Sequence, residues 1–266
     1  MFTRDVLAPD AIAEFYVEGY HDARHAAGQR VNASINIDVL NSLGVDVAGK
    51  AVLDIGAGFG SLLARLRDRG AQRALGVELS RAQRRYASET LGLDIAADLA
   101  ELRDSDRFDV ITLFEVIEHL PEPAAFIRSI LPLLKPGGSL IVGTDNFESD
   151  AVETLGAGFP KWIPHEHVSF FSPKTLTMML TDDTGLEIVG TSSFTTWELL
   201  ARTLVFRLTS GRRGAATYDY DAIQTQDGQR QYRLFTLRLA LNRLWFRLAR
   251  RTDLGGAMMY LHVRKM

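Results

Sequence analysis

The stretch Val52-Leu-Asp-Ile-Gly-Ala-Gly-Phe-Gly60 decides the reading of this chain. A short apolar run over 51–55 ends in a glycine-rich turn. A helical pattern with Leu62, Leu63 and Leu66 follows and stops at Gly70. Glycines let the backbone turn tightly and approach a ligand without a Cβ clash, and the helix behind them presents free N–H groups. Such a turn is a weak signal alone, and its context strengthens it. A second apolar run over 74–77 ends at Glu78, one strand–helix–strand step later, where a carboxylate accepts both hydroxyl hydrogens of a ribose. The pattern is D-x-G-x-G-x-G, with Asp54 ahead of the first glycine. A carboxylate there repels a pyrophosphate and attracts a cation, so Asp54, Gly56, Gly58, Gly60 and Glu78 are expected to hold a nucleoside with a cationic tail.

Outward from this motif, short apolar runs alternate with helical patterns. Runs at 93–96, 108–114 and 139–143 predict three more strands, the last preceded by a helix that closes at 136–138. Short buried strands alternating with helices predict an α/β fold with a parallel sheet. Upstream, 9–43 reads as helical with a break near Gly28. Downstream, 144–172 reads as loop, a helix begins at Ser172-Pro173 and runs to about 183, and 186–194 and 257–263 read as strands. The long gap between these last two strands needs structure of its own, and its pattern is helical over 197–208 and 229–250. The expected organisation is an N-terminal helical cap over 1–46 and a main domain over 47–266, with a helical insert at 195–255 acting as a substrate lid.

Bulk properties narrow the class. The chain has 266 residues, 46% hydrophobic and 24% charged, enough to bury a sizeable core. With no cysteine, disulfide and thiolate chemistry are excluded. The first fifteen residues lack a signal-type apolar region, so a cytoplasmic location is expected. A net charge of −3 argues against a nucleic-acid partner.

Four motifs in order resemble those of class I S-adenosylmethionine (SAM) dependent methyltransferases: the glycine stretch above, Gly76-Val-Glu-Leu-Ser80, Phe108-Asp-Val-Ile-Thr-Leu-Phe-Glu-Val-Ile-Glu-His-Leu120 and Leu134-Lys-Pro-Gly-Gly-Ser-Leu-Ile-Val142. The E-V-I-E-H stretch is similar to the branch holding ubiquinone-pathway O-methyltransferases and many small-molecule and sugar methyltransferases. His167-Val-Ser-Phe-Phe-Ser-Pro173 continues the likeness more weakly. The resemblance implies a Rossmann-like seven-stranded sheet with an antiparallel last strand. It also implies SAM as cofactor, with Asp98 and Leu99 against the adenine, Leu79 beside Glu78, and Phe114 and Glu115 at the methionine end.

Glu115, Glu118 and His119 lie at a strand end and the following turn. Two carboxylates and an imidazole suit a divalent cation such as Mg²⁺. Some relatives with E-x-x-E-H use it with a later histidine to hold a metal, a role open here to His167 or His165. A cation lowers the pKa of a coordinated hydroxyl. Alternatively His119 or His167 acts as a metal-free general base, with Glu115 a further candidate for activating the acceptor, or the motif only shapes a turn and contacts the cofactor.

The segment Arg230 to Arg251 is apolar and basic, with seven arginines and no acidic residue. It reads as a lid or homodimer helix packed on protein, or as a helix lying on an anionic membrane. Tyr16, Tyr20 and Arg30 are candidates for polar contacts from the N-terminal cap. The expected reaction is O-methylation of a small-molecule acceptor, a sugar or specialised metabolite. A quinone precursor or lipid-linked acceptor is the alternative within the class, and a non-catalytic SAM-binding partner subunit the alternative outside it.

Overall fold

The computed structural model describes residues 23–162, 167–209 and 240–266. Its centre is a seven-stranded sheet of order β3-β2-β1-β4-β5-β7-β6. The strands are β1 (Ala51–Ile55), β2 (Arg73–Val77), β3 (Asp94–Ala96), β4 (Phe108–Phe114), β5 (Leu134–Asp145), β6 (Leu186–Phe194) and β7 (Met258–Lys265). The first five run parallel, and β7 is antiparallel to both β5 and β6. This is the Rossmann-like sheet expected from the sequence. The helices are α1 (Ala23–Ser42), α2 (Ser61–Asp68), α3 (Arg81–Leu91), α4 (Pro123–Ile130), α5 (Asp150–Leu155), α6 (Pro173–Thr181), α7 (Trp197–Leu208) and a helix over 240–249.

Strands sandwiched between helices must be apolar on both faces. Accordingly Leu53, Val110, Ile111, Leu113, Leu140 and Ile141 have no exposed surface. One helical layer packs on Leu53, Ile111 and Leu140, and the other on Val52, Val110 and Ile141. Truncating one such leucine to alanine costs about 2–5 kcal/mol. The sheet reverses direction of winding between β1 and β4, and the crevice beyond the strand ends at such a switch is where open α/β sheets bind ligands.

Three local expectations are corrected. α1 runs without a break through Gly28, because one glycine costs a helix only about 1 kcal/mol. Burial on both flanks repays that cost: Ala33, Ile37 and Leu40 pack toward Val52, Leu66 and Val110, while Val31, Ile35 and Val39 pack with Phe194, Phe246 and Tyr260. β5 begins at Leu134 rather than after Gly138, since the Pro136-Gly-Gly138 turn is absorbed as an irregularity in the β4–β5 register. The stretch read as loop over 144–172 contains α5, whose Ala151 and Leu155 pack with Phe159 and Ala257. Among the described residues, no helix is long and apolar enough to cross a membrane.

Candidate functional site

Asp54, Glu78, Asp98, Glu115 and Asp145 all stand at or just beyond the ends of β1 to β5, along one edge of the sheet. On the β1–β3 side the glycine loop is fixed by backbone bonds: Gly56 and Ala57 N–H donate to the Val77 carbonyl at 2.8 and 3.0 Å. Gly56 has φ 75°, and a Cβ there would meet Val116 Cγ2 at 2.5 Å. Glu78 is held by two backbone donors, Gly58 N–H to Oε2 and Ser80 N–H to Oε1, each 2.8 Å. Each oxygen keeps a second lone pair, which fits a pair of ribose hydroxyl donors.

Asp54 is buried and accepts a hydrogen bond from Thr112 Oγ1 at 2.6 Å. Burial outweighs that bond and, with help from the Glu78 charge, lifts the Asp54 carboxyl to about 7. Such a group gains from a nearby cation, so the residues present fit the ammonium-bearing tail of SAM. Asp98 is exposed and caps a short turn by accepting from Ala100 N–H at 2.8 Å. Leu99 packs against the core, Leu79 is exposed, and the Phe114 ring lies edge-on to Tyr260.

Two residues unforeseen from the sequence reach this edge from α1. Gln29 accepts from Phe59 N–H at 2.8 Å and donates to Gln83 Oε1 at 3.3 Å. Asn32 donates to Glu115 Oε2 at 3.3 Å. Arg30 lies on the same helix, whereas Tyr16 and Tyr20 lie outside the described residues.

The β4–β5 side is built differently. Glu115 carries a left-handed backbone, φ 54°, a conformation costly for a non-glycine and frequent at working sites. Its carboxylate pairs with Lys161 Nζ at 2.8 Å, which holds it below the ordinary range. Lys161 also lies 3.8 Å from Asp145 Oδ2, and these carboxylates raise its pKa further. The turn over 117–119 is clamped to the later segment by Val168 and Ser169 N–H, which both donate to the Glu118 carbonyl at 2.8 and 3.0 Å. That clamp sets the His167 ring edge-on to His119, 4.8 Å between centres.

Glu118, His119 and His167 bring donor atoms within 4.8 Å of one another. Ligands around a small divalent cation at about 2.1 Å sit roughly 3–4 Å apart, so the group needs only a modest contraction to hold one. Glu118 is fully buried, and its Oε1 has no hydrogen-bond partner, as is true of Asp145 Oδ2. Burial raises both carboxyls. Glu115, the fourth expected ligand, is instead engaged by Lys161 and Asn32. His165 lies outside the described residues. His167 is buried, and desolvation with nearby His119 and Lys161 brings it down to about 3, so its ring is neutral at pH 7.

Lys161 and Asp145 were missed for a physical reason. Lys161 is delivered by an aromatic cluster of Phe147, Phe159, Trp162 and Phe170, which no local spacing announces. Asp145 could have been suspected, since it ends a strand of the same sheet edge as Glu115.

A family model described as a methyltransferase domain matches residues 25–191. A ubiquinone biosynthesis O-methyltransferase of Bradyrhizobium diazoefficiens is 35% identical over 162 residues, covering 56% of this chain and 61% of that protein. The chain thus spans about three fifths of the length of that relative. Among solved structures, a Thermotoga maritima protein described as a SAM-dependent methyltransferase, possible histamine N-methyltransferase, aligns at TM-score 0.55 and 15% identity, covering 96% of this chain and 92% of that one. The [4+2]-cyclase SpnF aligns at TM-score 0.55 and 19% identity, covering 96% and 90%. These two likenesses concern the fold alone, and the second neighbour is named for a cyclisation.

Proposed function

The chain belongs to the methyltransferase-domain family, and from that premise we propose that it transfers a methyl group from SAM to a hydroxyl of a small-molecule acceptor. The observation that carries this reading is the grouping of Glu118, His119 and His167 at the end of β4, one strand over from the Asp54 loop. SAM would supply an electrophilic methyl on a sulfonium: the acceptor oxygen would bond to that carbon as the carbon–sulfur bond breaks to leave S-adenosylhomocysteine, and the hydroxyl proton would pass to solvent. The chain's own contribution is alignment, which is worth roughly 7 kcal/mol or more in favourable cases. Glu78 and Asp54 orient the cofactor. The His167 ring, brought down to about 3 by burial, is too weak a base to deprotonate an alcohol unaided.

That weakness favours a divalent cation as the activating group. Glu118, His119 and His167 would hold it, and the unbonded Glu118 Oε1 is the feature that fits it best. A cation there would lower the pKa of a bound hydroxyl. Glu115, locked to Lys161, shapes the wall between acceptor and cofactor rather than completing the ligand set.

Both acceptor classes expected from the sequence, a sugar or specialised metabolite and a quinone precursor or lipid-linked phenol, present hydroxyls. The name of the Bradyrhizobium relative favours the quinone precursor. The test is release of S-adenosylhomocysteine with catechol-bearing and sugar acceptors, each with Mg²⁺ and after chelation. Turnover on catechols that chelation abolishes supports the proposal. Turnover on sugars alone replaces the acceptor, and cofactor binding without turnover on any acceptor leaves the partner-subunit reading.

A further inference from the structure

Eight of the thirteen large hydrophobic side chains exposed among the described residues lie on only two helices, α7 and 240–249. Their inner faces are already satisfied by protein. Phe246 is buried with Phe194 and Tyr260, and Arg243 makes two bonds, 2.7 and 2.9 Å, to buried Asp38. On α7, Leu199 and Phe206 pack against the α5 cluster. An ordinary amphipathic helix would be polar on the opposite side.

These two are not. Trp197, Leu200, Leu204 and Leu208 recur at helical spacing and are 40%, 41%, 57% and 75% exposed. Leu241, Leu244 and Leu248 do the same on the second helix, at 44%, 55% and 73%. The two stripes meet in a groove of about 260 Å³ lined by Trp197, Leu241, Leu244, Trp245 and Leu248. Trp245 is fixed there by donating its Nε1–H to the Thr195 carbonyl at 3.0 Å. Beside the leucines stand Arg247 and Arg250, both exposed.

We infer that this face lies on an anionic lipid surface, with the leucines in the acyl boundary and the arginines at the headgroups. Charge decides between occupants. Arg247 and Arg250 stand exposed beside the leucines with no acidic residue on their helix, so a two-fold contact with a second copy through this face would oppose like charges. Arginine stems lie along apolar surface while their heads reach phosphate, the arrangement an interfacial helix needs. The inference stands apart from the proposed reaction, because it uses none of the residues of the strand-end edge.

The test is co-sedimentation of the full chain with vesicles of phosphatidylglycerol and phosphatidylcholine, against phosphatidylcholine alone. Preferential binding to the anionic vesicles, weakened as salt rises, is the expected result. Leu204→Asp with Leu248→Asp, and separately Arg247→Glu with Arg250→Glu, should each lower the bound fraction about tenfold or more. Circular dichroism and S-adenosylhomocysteine titration check that the variants remain folded. Wild-type protein that is folded and stays in the supernatant at low salt overturns the inference. So does binding indifferent to lipid charge, or a concentration-dependent dimer in sedimentation equilibrium that the leucine variants abolish.

Discussion

The two halves of the strand-end edge solve one problem by different means. On the β1–β3 side, Asp54, Gly58 and Glu78 come from a single stretch of chain, and backbone N–H groups aim the Glu78 carboxylate. On the β4–β5 side, Asn32, Glu115, Lys161 and His167 come from separate parts of the chain, and side chains hold one another, through the Glu115–Lys161 ion pair, the Asn32 bond to Glu115 and the His119–His167 ring contact. The first half is a rigid mould for a ligand shared by a whole family. The second is an assembly of side chains, the kind of surface that changes with the acceptor.

The sharpest way to break this contrast is His167→Ala. By removing a ligand to the activating cation it should lower kcat about 100-fold or more, while S-adenosylhomocysteine affinity by calorimetry stays within a few-fold. Equal losses in both would erase the division of labour.

The next effect tests Asp54 through pH. Its carboxyl is raised to about 7 in the folded chain from 3.8, so it keeps its proton longer when folded. The associated stability is full below about pH 4 and is lost as pH rises to about 7, by roughly 4 kcal/mol. Asp54→Asn should flatten urea-derived stability by that amount over this window relative to wild type, and SAM should offset the loss in wild type. An unchanged slope would mean that Asp54 already has a cationic partner.

Glu78→Ala removes both acceptor oxygens from the loop. S-adenosylhomocysteine should bind about a hundredfold more weakly, some 2.7 kcal/mol. The smallest effect belongs to Lys161→Met. Glu115 then loses its cation, but at about a third exposed it regains water, so the stability cost is about 1 kcal/mol. The same change should alter KM for the acceptor more than affinity for the cofactor, and the reverse pattern would move Lys161 to the other half.

This contrast also explains what was legible in the residues. The strands were readable because they announce themselves by apolar runs between glycine or proline turns, and the Asp54–Glu78 pair because it is one strand–helix–strand step long, whereas the antiparallel last strand was implied by the family resemblance alone. Gln29, Asn32 and Lys161 were not, since a polar residue on a helix or loop carries no local sign of what it will face. α1 was half legible. Being buried on two flanks, it lacks the one-sided periodicity that marks a surface helix.

The sheet order carries a consequence for synthesis. Among the described residues β7 is the one strand of the sheet that β6 pairs with, β7 also covers the free edge of β5, and β7 follows the other six along the chain. Until 258–265 leaves the ribosome, β5 keeps an open edge and β6 has no neighbour. Unpaired edges recruit other chains. A message truncated anywhere between the codons for Phe194 and Met258 therefore yields an aggregation hazard rather than a shorter enzyme, and the codons of β7 carry as much structural weight as those of the glycine loop.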